Sequence, residues 1–358
     1  MINPERLTTG AQNMLVGCAG LEDGQRLLIV HEDPALGWYT EGLAATVAAE
    51  AAELGAEVTM LEVGGPENDR DPAVGIAVDD NDLVIFLARI GDQERFSDPA
   101  PGKTVVMCYA RDREMLASAY GRTNYQAFIA LKNAVNDVLL NADQIEITCP
   151  LGTAISGALT PAARASREDV TVRRFPLGVP QPIDASTFSG RVALAHFLTP
   201  TGSKVYEPAS LALAEPVFAE VKNGRIDAFT GNEDVVTQVR EHYRQVSDYL
   251  DIQWDVVHSW HAGIHPASAY DRTAAENPDR WSNTIFTNPR FLHFHTCGTY
   301  PPGEICWMLL DHTVNVDGRE LWHNGRFQPQ NFSDLRQVLG TWDELRVIFE
   351  APSDILGI

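Results

Sequence analysis

The first half of the chain alternates short apolar β segments with helical segments. Strand patterns lie at residues 26–30, 57–63, 82–87, 104–107 and 144–148, and helical patterns lie at about 39–54 and 124–141. Strands separated by helices of this length are typical of a parallel sheet with helical crossovers. The sequence therefore predicts an α/β domain with a mainly parallel sheet over residues 1–175.

The second half changes character after the Pro- and Gly-rich segment 175–180. β patterns follow at 191–198 and 217–229. Asn-Gly and Asp-Gly pairs between apolar runs are strong signals for tight turns. Three such pairs occur in this half of the chain: Asn223-Gly224, Asp317-Gly318 and Asn324-Gly325. We expect a β-rich α+β domain over residues 176–358, and we expect this domain to carry the functional site.

The charge balance excludes several function classes. The 358 residues include 49 Asp and Glu against 27 Lys and Arg, which gives a formal net charge of -22. A protein that binds nucleic acid or anionic membranes needs a basic face, so the sequence predicts neither partner. No apolar run reaches the ~18 residues of a membrane span. The first residues also lack a hydrophobic signal core, and we expect a cytoplasmic protein with a small-molecule substrate.

The spacing of the cysteines and the absence of glycine-rich motifs argue against several kinds of site. The five cysteines are widely spaced and form no C-x-x-C pair, which argues against a disulfide framework or a structural zinc knuckle. The first β segment is not followed by G-x-G-x-x-G, so no dinucleotide site is predicted. Neither G-x-S-x-G nor a P-loop occurs, so the sequence does not indicate an α/β-hydrolase or a P-loop nucleotide site.

Histidines are concentrated late in the chain. Seven of the ten lie between His258 and His323. The first cluster is His258, His261 and His265, and its last two members have the i, i+4 spacing of a helical metal pair. Glycine and proline at positions 263 and 266 disfavour a regular helix there. The sequence therefore predicts that this cluster lies on a loop after a short strand.

The second cluster is the pair His293 and His295 on a predicted strand. Residues two apart on a strand face the same side, so both imidazoles point into one space. This geometry suits chelation of a transition metal. The alternative is a pair of histidines that hydrogen-bond to backbone or carboxylate groups. We interpret His258, His261, His293 and His295 as candidate metal ligands.

Further candidates lie close to these clusters in the sequence. Acid–base roles are assigned to Tyr300, Glu304 and His265. The alternative for Tyr300 is a core tyrosine, and the alternative for Glu304 is a solvated loop carboxylate. The candidate walls of a substrate pocket are Trp260, Trp281, Cys297 and Trp307, with core packing as the alternative for the tryptophans. A nucleophilic role for the cysteine beside His295 is the weaker interpretation, because nothing in the sequence lowers its pKa.

Six short segments, taken in order, resemble one superfamily of enzymes. Residues 25–30 look like its opening strand, and residues 147–153 look like the end of its first domain. Residues 189–194 and 220–226 look like the two β segments that open its second domain. Residues 262–266 look like the loop after its first shared ligand, and residues 313–318 look like its last strand. The chain thus resembles the aminopeptidase T group of metallopeptidases and, in the same superfamily, 2,5-dihydroxypyridine 5,6-dioxygenase. The resemblance implies the two-domain fold given above, a divalent metal and a homodimer.

The metal ligands of that superfamily do not carry over intact. Its H-x-D pair falls on Trp307 and Leu309, and a peptidase glutamate falls at Gly178-Val179. His293 and Tyr300 do match the histidine and tyrosine that the peptidases have near their metal. Either the site was lost, or it was rebuilt from the additional histidines. Loss alone does not predict those histidines, so we favour a rebuilt site.

Three functions stay open. The first is a non-haem iron dioxygenase that cleaves a hydroxylated aromatic or N-heteroaromatic ring, with Fe(II) as the first choice of metal and Zn(II) or Co(II) as the second. The second is an aminopeptidase-like metallohydrolase, in which a metal activates water for attack on an amide or small peptide. The third is a metal-free tailoring enzyme or ligand-binding relative that uses histidine and tyrosine as acid and base.

Overall fold

A computed structural model describes residues 2–66, 72–93, 95, 99–166, 169–202, 206–299 and 303–358. The chain forms two compact units. Unit 1 consists of Met1–Ile129, Val170–Leu177 and Trp342–Ser353, and unit 2 consists of Ala130–Asp169, Gly178–Thr341 and Asp354–Ile358.

The strands of the described ranges are, in chain order, β1 (Arg26–Glu32), β2 (Glu57–Val63), β3 (Leu83–Leu87), β4 (Thr104–Cys108), β5 (Ile145–Thr148), β6 (Ala154–Gly157), β7 (Arg173–Phe175), β8 (Ile183–Asp184), β9 (Ser189–Leu194), β10 (Phe197–Pro200), β11 (Leu211–Ala212), β12 (Val217–Lys222), β13 (Arg225–Thr230), β14 (Val257–Ala262), β15 (Phe291–Thr296), β16 (Ile305–Leu310), β17 (Thr313–Val316), β18 (Arg319–His323) and β19 (Arg326–Phe327).

The α-helices of the same ranges are α1 (Pro4–Gln12), α2 (Leu43–Glu53), α3 (Pro72–Asp79), α4 (Arg113–Ala117), α5 (Ala119–Arg122), α6 (Tyr125–Leu140), α7 (Pro161–Ala165), α8 (Glu233–Leu250), α9 (Pro278–Ile285), α10 (Ser333–Thr341) and α11 (Asp343–Glu350). Within the described ranges, no helix combines the length and the apolar character that crossing a membrane requires.

Unit 1 contains the parallel sheet that the alternation of strands and helices predicts. Its five strands lie in the order β2-β1-β3-β4-β7, and all of their pairings are parallel. The central strand β3 is buried throughout because the crossover helices cover both faces of such a sheet. The predicted α/β architecture is therefore confirmed for this part of the chain.

Unit 2 is rich in antiparallel strands, as predicted. An eight-stranded sheet has the order β13-β12-β9-β6-β5-β17-β18-β19. All three predicted tight turns join consecutive strands of this sheet, at Asn223-Gly224, Asp317-Gly318 and Asn324-Gly325. Both residues of each pair have positive φ, which matches the right-handed twist of the flanking strands.

Two strand predictions need correction. The strand predicted at 144–148 exists as β5, but it pairs antiparallel with β6 and β17 and does not join the parallel sheet. The short connection from β5 to β6 produces a hairpin, whereas a parallel pair needs a longer crossover. The single strand predicted at 191–198 is two strands, β9 and β10, which belong to different sheets. The chain turns between them at His196, whose φ is 62°.

The second sheet of unit 2 carries most of the late histidines. Its order is β11-β10-β16-β15-β14-β8, with antiparallel pairings throughout. The prediction of a loop for His258 and His261 is wrong, because both lie on β14. Gly263 and Pro266 end this strand instead of marking a loop around the histidines. Central position in the sheet buries β14, β15 and β16 almost completely.

Alternation along these strands separates two faces of the sheet. On one face, Trp260, Phe294 and Trp307 are register partners, and all three are fully buried. The Trp260 ring contacts Phe188 edge-on at 6.3 Å between ring centroids. The Trp307 indole N–H donates a hydrogen bond of 2.5 Å to the Tyr243 hydroxyl on α8. This aromatic row forms the buried packing on the side of the sheet opposite the histidines.

Replacing Phe294 with alanine should lower the free energy of unfolding by about 3–5 kcal/mol, because it removes the middle ring of the buried row and leaves a cavity. Urea unfolding followed by tryptophan fluorescence measures the change. The matched control is Leu151→Ala in the same unit, whose side chain is 46% exposed. That control should change stability by no more than about 0.5 kcal/mol. Equal effects of the two substitutions would contradict this account of the core.

Candidate metal centre

Three histidines lie on the face of the sheet opposite the aromatic row. His261 on β14 is the register partner of His293 on β15, and His295 follows two residues later on the same strand. Their exposed fractions are 3%, 6% and 4% respectively. The prediction that His293 and His295 point to the same side is confirmed, and the neighbouring strand adds His261.

The three imidazoles form a compact group. The ring centroids of His261 and His293 are 4.2 Å apart, and those of His293 and His295 are 4.9 Å apart. One nitrogen from each ring lies within 4.8 Å of the others. Among the described residues, no carboxylate or thiol joins this group. The donor set is therefore made of imidazole nitrogens alone.

A backbone carbonyl sets the protonation pattern of His261. Its Nδ1 is 3.1 Å from the carbonyl oxygen of Pro180. A carbonyl only accepts, so Nδ1 carries the proton and Nε2 of the neutral ring carries the lone pair. That Nε2 is 2.6 Å from Nε2 of His293. In a neutral pair, His293 is therefore the donor and His261 is the acceptor.

The nitrogen spacing is compatible with a bound metal. Two imidazole nitrogens on one tetrahedral zinc lie roughly 3.3 Å apart, given Zn–N bonds near 2.0–2.1 Å. The separations in the group, from 2.6 Å to at most 4.8 Å, lie on either side of this value. A metal held by these rings would displace the proton that His293 donates, so binding would release a proton.

Apolar side chains surround the group on the same face. Phe286 and Phe291 approach the His293 ring edge-on, with centroid distances of 6.1 Å and 5.9 Å. Met308 on β16 is the register partner of His293 and is buried. These residues belong to, or pack against, a hydrophobic cluster that includes Trp281 of α9. The histidines thus lie at the edge of an apolar core from which bulk water is excluded.

Two neighbours on β14 connect to the group through hydrogen bonds. The hydroxyl Oγ of Ser259 lies 3.0 Å from Nδ1 of His295 and 3.1 Å from Nδ1 of His258. A register shift between Val257 and Ser259 bulges the strand at His258. This histidine was predicted as a metal ligand, and the structure places it beside Ser259 and outside the three-nitrogen group.

Two of the predicted acid–base residues, His265 and Glu304, are buried in unit 2. His265 is fully buried after β14, where its backbone N–H donates to the Thr287 carbonyl at 2.8 Å. Glu304 is 2% exposed, and its backbone N–H lies 2.8 Å from the carbonyl oxygens of both Thr296 and Cys297. Neither residue belongs to the three-histidine group as described. Tyr300 lies outside the described residues.

The predicted pocket residues fall into different surroundings. Trp260 and Trp307 lie in the aromatic row on the opposite face of the sheet from the histidines. Trp281 is on the histidine side, where its indole N–H donates to the Leu356 carbonyl at 2.6 Å. Burial and the nearby charge of Glu304 raise the pKa of the Cys297 thiol to about 12. This thiol therefore stays protonated near neutral pH, which disfavours a nucleophilic role.

Sequence reasoning did not find Ser259, Pro180 or Phe286. Ser259 had a usable signal, because it lies two residues before His261 and so shares its face on a strand. Pro180 had none, since its contact with His261 spans 81 residues. Phe286 reaches His293 from the end of α9, which depends on how that helix packs on the sheet.

Comparison with known proteins rests on the fold, since no family model and no curated protein matches the sequence. The structure of 2,5-dihydroxypyridine dioxygenase from Pseudomonas putida superposes with a TM-score of 0.63 at 12% identity, covering 94% of this chain and 100% of that chain. Aminopeptidase T (AmpT) from Thermus thermophilus gives 0.52 at 13% identity, covering 90% and 99%. The chain has the fold of these two enzymes.

This finding confirms the fold that the resemblance of the six sequence segments implies. At 12% and 13% identity, the likeness establishes the fold and leaves the reaction open. This protein therefore has the fold of the dioxygenase and the peptidase. It carries Trp307 and Leu309 at the positions where the resemblance predicts an H-x-D pair. In this chain, the described residues that converge as possible metal ligands are His261, His293 and His295.

Metal content should depend on these three histidines. Protein purified without a His-tag and loaded anaerobically with Fe(II) should retain metal, and His261→Ala and His293→Ala should each lower the retained amount at least tenfold, because first-row metals bind imidazole sets well. Elemental mass spectrometry after desalting provides the measurement.

The matched control for these variants is His323→Ala, since that side chain is 50% exposed on β18 and lies apart from the group. It should retain metal as the unmodified protein does. Retention below ~0.1 metal per chain in the unmodified protein would contradict a metal centre built from three imidazoles.

Proposed function

We propose that the protein is a metal-dependent enzyme that acts on a small, hydroxylated aromatic or N-heteroaromatic ring, in the manner of a ring-cleaving dioxygenase. The observation that carries this proposal is the convergence of His261, His293 and His295 on one buried face of the sheet, with nitrogens within 4.8 Å of one another. The fold shared with a dihydroxypyridine dioxygenase supports the choice of reaction.

The three histidines are the proposed ligands. Three neutral imidazoles suit Fe(II), and also Zn(II) or Co(II), and they leave coordination positions open for substrate. Fe(II) supplies redox chemistry toward O₂ when it is bound, whereas Zn(II) or Co(II) supplies a Lewis acid. The Pro180 carbonyl supports this role because it keeps the Nε2 lone pair of His261 directed toward His293.

The apolar side chains beside the group support an aromatic substrate. Phe286, Phe291 and Met308 offer edges and faces against which a planar ring can pack. Phe291 and Met308 are buried and Phe286 is partly buried, which limits the access of water to the group. Glu304, His265 and Tyr300 stay the proposed acid–base residues for proton transfer to and from a hydroxylated ring. A homodimer and a cytoplasmic location are part of the same proposal.

Two other functions each have one supporting observation. An aminopeptidase-like hydrolase is supported by the fold shared with AmpT. A metal-free enzyme or ligand-binding protein is supported by the contact of 2.6 Å between the Nε2 atoms of His261 and His293, which is a short hydrogen bond that needs no metal. In this alternative, His261 and His293 act as an acid–base pair without a metal.

Oxygen consumption separates these functions. Anaerobically Fe(II)-loaded protein should consume O₂ when 2,5-dihydroxypyridine or a related dihydroxylated ring is added, and His295→Ala should lower the rate at least 100-fold because one ligand is lost. An oxygen electrode and loss of the aromatic ultraviolet absorbance provide the two readouts.

The control substrate is a leucyl peptide with the same enzyme loaded with Zn(II) or Co(II). Release of free leucine without any oxygen uptake would replace the dioxygenase proposal with the hydrolase. Ring turnover at the same rate in metal-free protein would instead favour the metal-free alternative.

A further inference from the structure

The geometry points to Ser259 as a positioning residue for the three-histidine group. We infer that its hydroxyl holds Nδ1 of His295, so that Nε2 of the same ring faces His261 and His293. This inference rests on the proposed function, because it assigns Ser259 a role in binding the metal. Ser259 is not itself proposed as a ligand, because its hydroxyl contacts Nδ1 of His295 and the proposed ligand atom of that ring is Nε2.

The first step is the contact itself. Ser259 Oγ is 3.0 Å from Nδ1 of His295, within normal hydrogen-bonding distance. The serine is 2% exposed and the histidine is 4% exposed, so bulk water does not substitute for this bond. The two residues are register partners across β14 and β15, and the sheet therefore fixes their separation.

The second step is the direction of the bond network. Ser259 Oγ also lies 3.1 Å from Nδ1 of His258. A hydroxyl has one proton. The inference therefore requires that Ser259 accept from Nδ1–H of His295, which leaves the lone pair on Nε2 of that ring, and donate to Nδ1 of His258. The bulge at His258 brings that ring beside the hydroxyl. His258 thereby restricts the rotation of the Ser259 hydroxyl and, through it, the ring of His295.

The third step is the comparison between two ligands of one group. The Pro180 carbonyl binds Nδ1 of His261, and the Ser259 hydroxyl binds Nδ1 of His295. Histidines that ligate metals almost always use their other ring nitrogen in this way, which fixes the ring and raises its basicity. The two partners come from different segments of the chain, and in the inferred arrangement Nε2 of each ring faces the shared space.

Removing this hydroxyl should weaken metal binding. Ser259→Ala is expected to raise the dissociation constant for Zn(II), measured by competition with a chromophoric chelator, by roughly 10–100-fold, as loss of such an outer contact typically does. Ser259→Thr keeps the hydroxyl and suits a strand, so it should restore binding to the level of the unmodified protein. Ser268→Ala is the matched control, because Ser268 is fully buried in the same unit and its hydroxyl contacts the Thr284 carbonyl.

A second readout requires no metal. Nitrogen-15 spectra of the imidazole rings report which nitrogen of each histidine carries the proton. In the metal-free protein, Ser259→Ala should change the ring signals of His295, identified by their absence in His295→Gln, and should leave those of His312 unchanged. His312 is fully buried in the same unit, which makes it a suitable internal reference.

The possible outcomes are distinct. Unchanged Zn(II) affinity and unchanged His295 signals in Ser259→Ala would overturn the inference. Equal losses of affinity in Ser259→Ala and Ser259→Thr would also overturn it, because packing and not the hydroxyl would then be responsible. If the unmodified protein binds no metal, the proposed function fails, and the ring spectra alone decide whether Ser259 orients His295.

Discussion

The antiparallel register between β14 and β15 is the constraint on which the site depends. It sets His261 opposite His293 and Ser259 opposite His295. Because side chains alternate along a strand, a slip of one residue would turn every histidine to the other face of the sheet. The fully buried aromatic row resists such a slip, since Trp260, Phe294 and Trp307 would then be moved into the histidine space.

Burial gives the histidine group its chemical character. Burial disfavours the charged form of an imidazole, so the apolar surroundings act against protonation of these rings. The Pro180 carbonyl and the Ser259 hydroxyl each contact one ring nitrogen, and one nitrogen from each of the three rings lies within 4.8 Å of the others. The hydrogen bonds that satisfy these buried rings therefore also position a donor set made of nitrogen atoms. Such a set suits a transition metal, and it also suits acid–base chemistry by neutral imidazoles.

Local patterns predicted much of the fold. The parallel strands of unit 1, the turns at Asn-Gly and Asp-Gly pairs, and the shared direction of His293 and His295 all follow from short-range periodicity. The strand status of His258 and His261 did not, because Gly263 and Pro266 lie close by and polar residues interrupt the apolar pattern. The pairing of His261 with His293 spans 32 residues, and no local signal specifies such a register.

X-ray absorption at the zinc edge of the Zn(II)-loaded protein tests the central claim most directly. The account predicts three imidazole nitrogens at about 2.0–2.1 Å from the metal, and the imidazole contribution should fall by one ring in His293→Ala. A zinc shell of oxygen or sulfur atoms without imidazole scattering would contradict it. A shell that is identical in His293→Ala would do so as well.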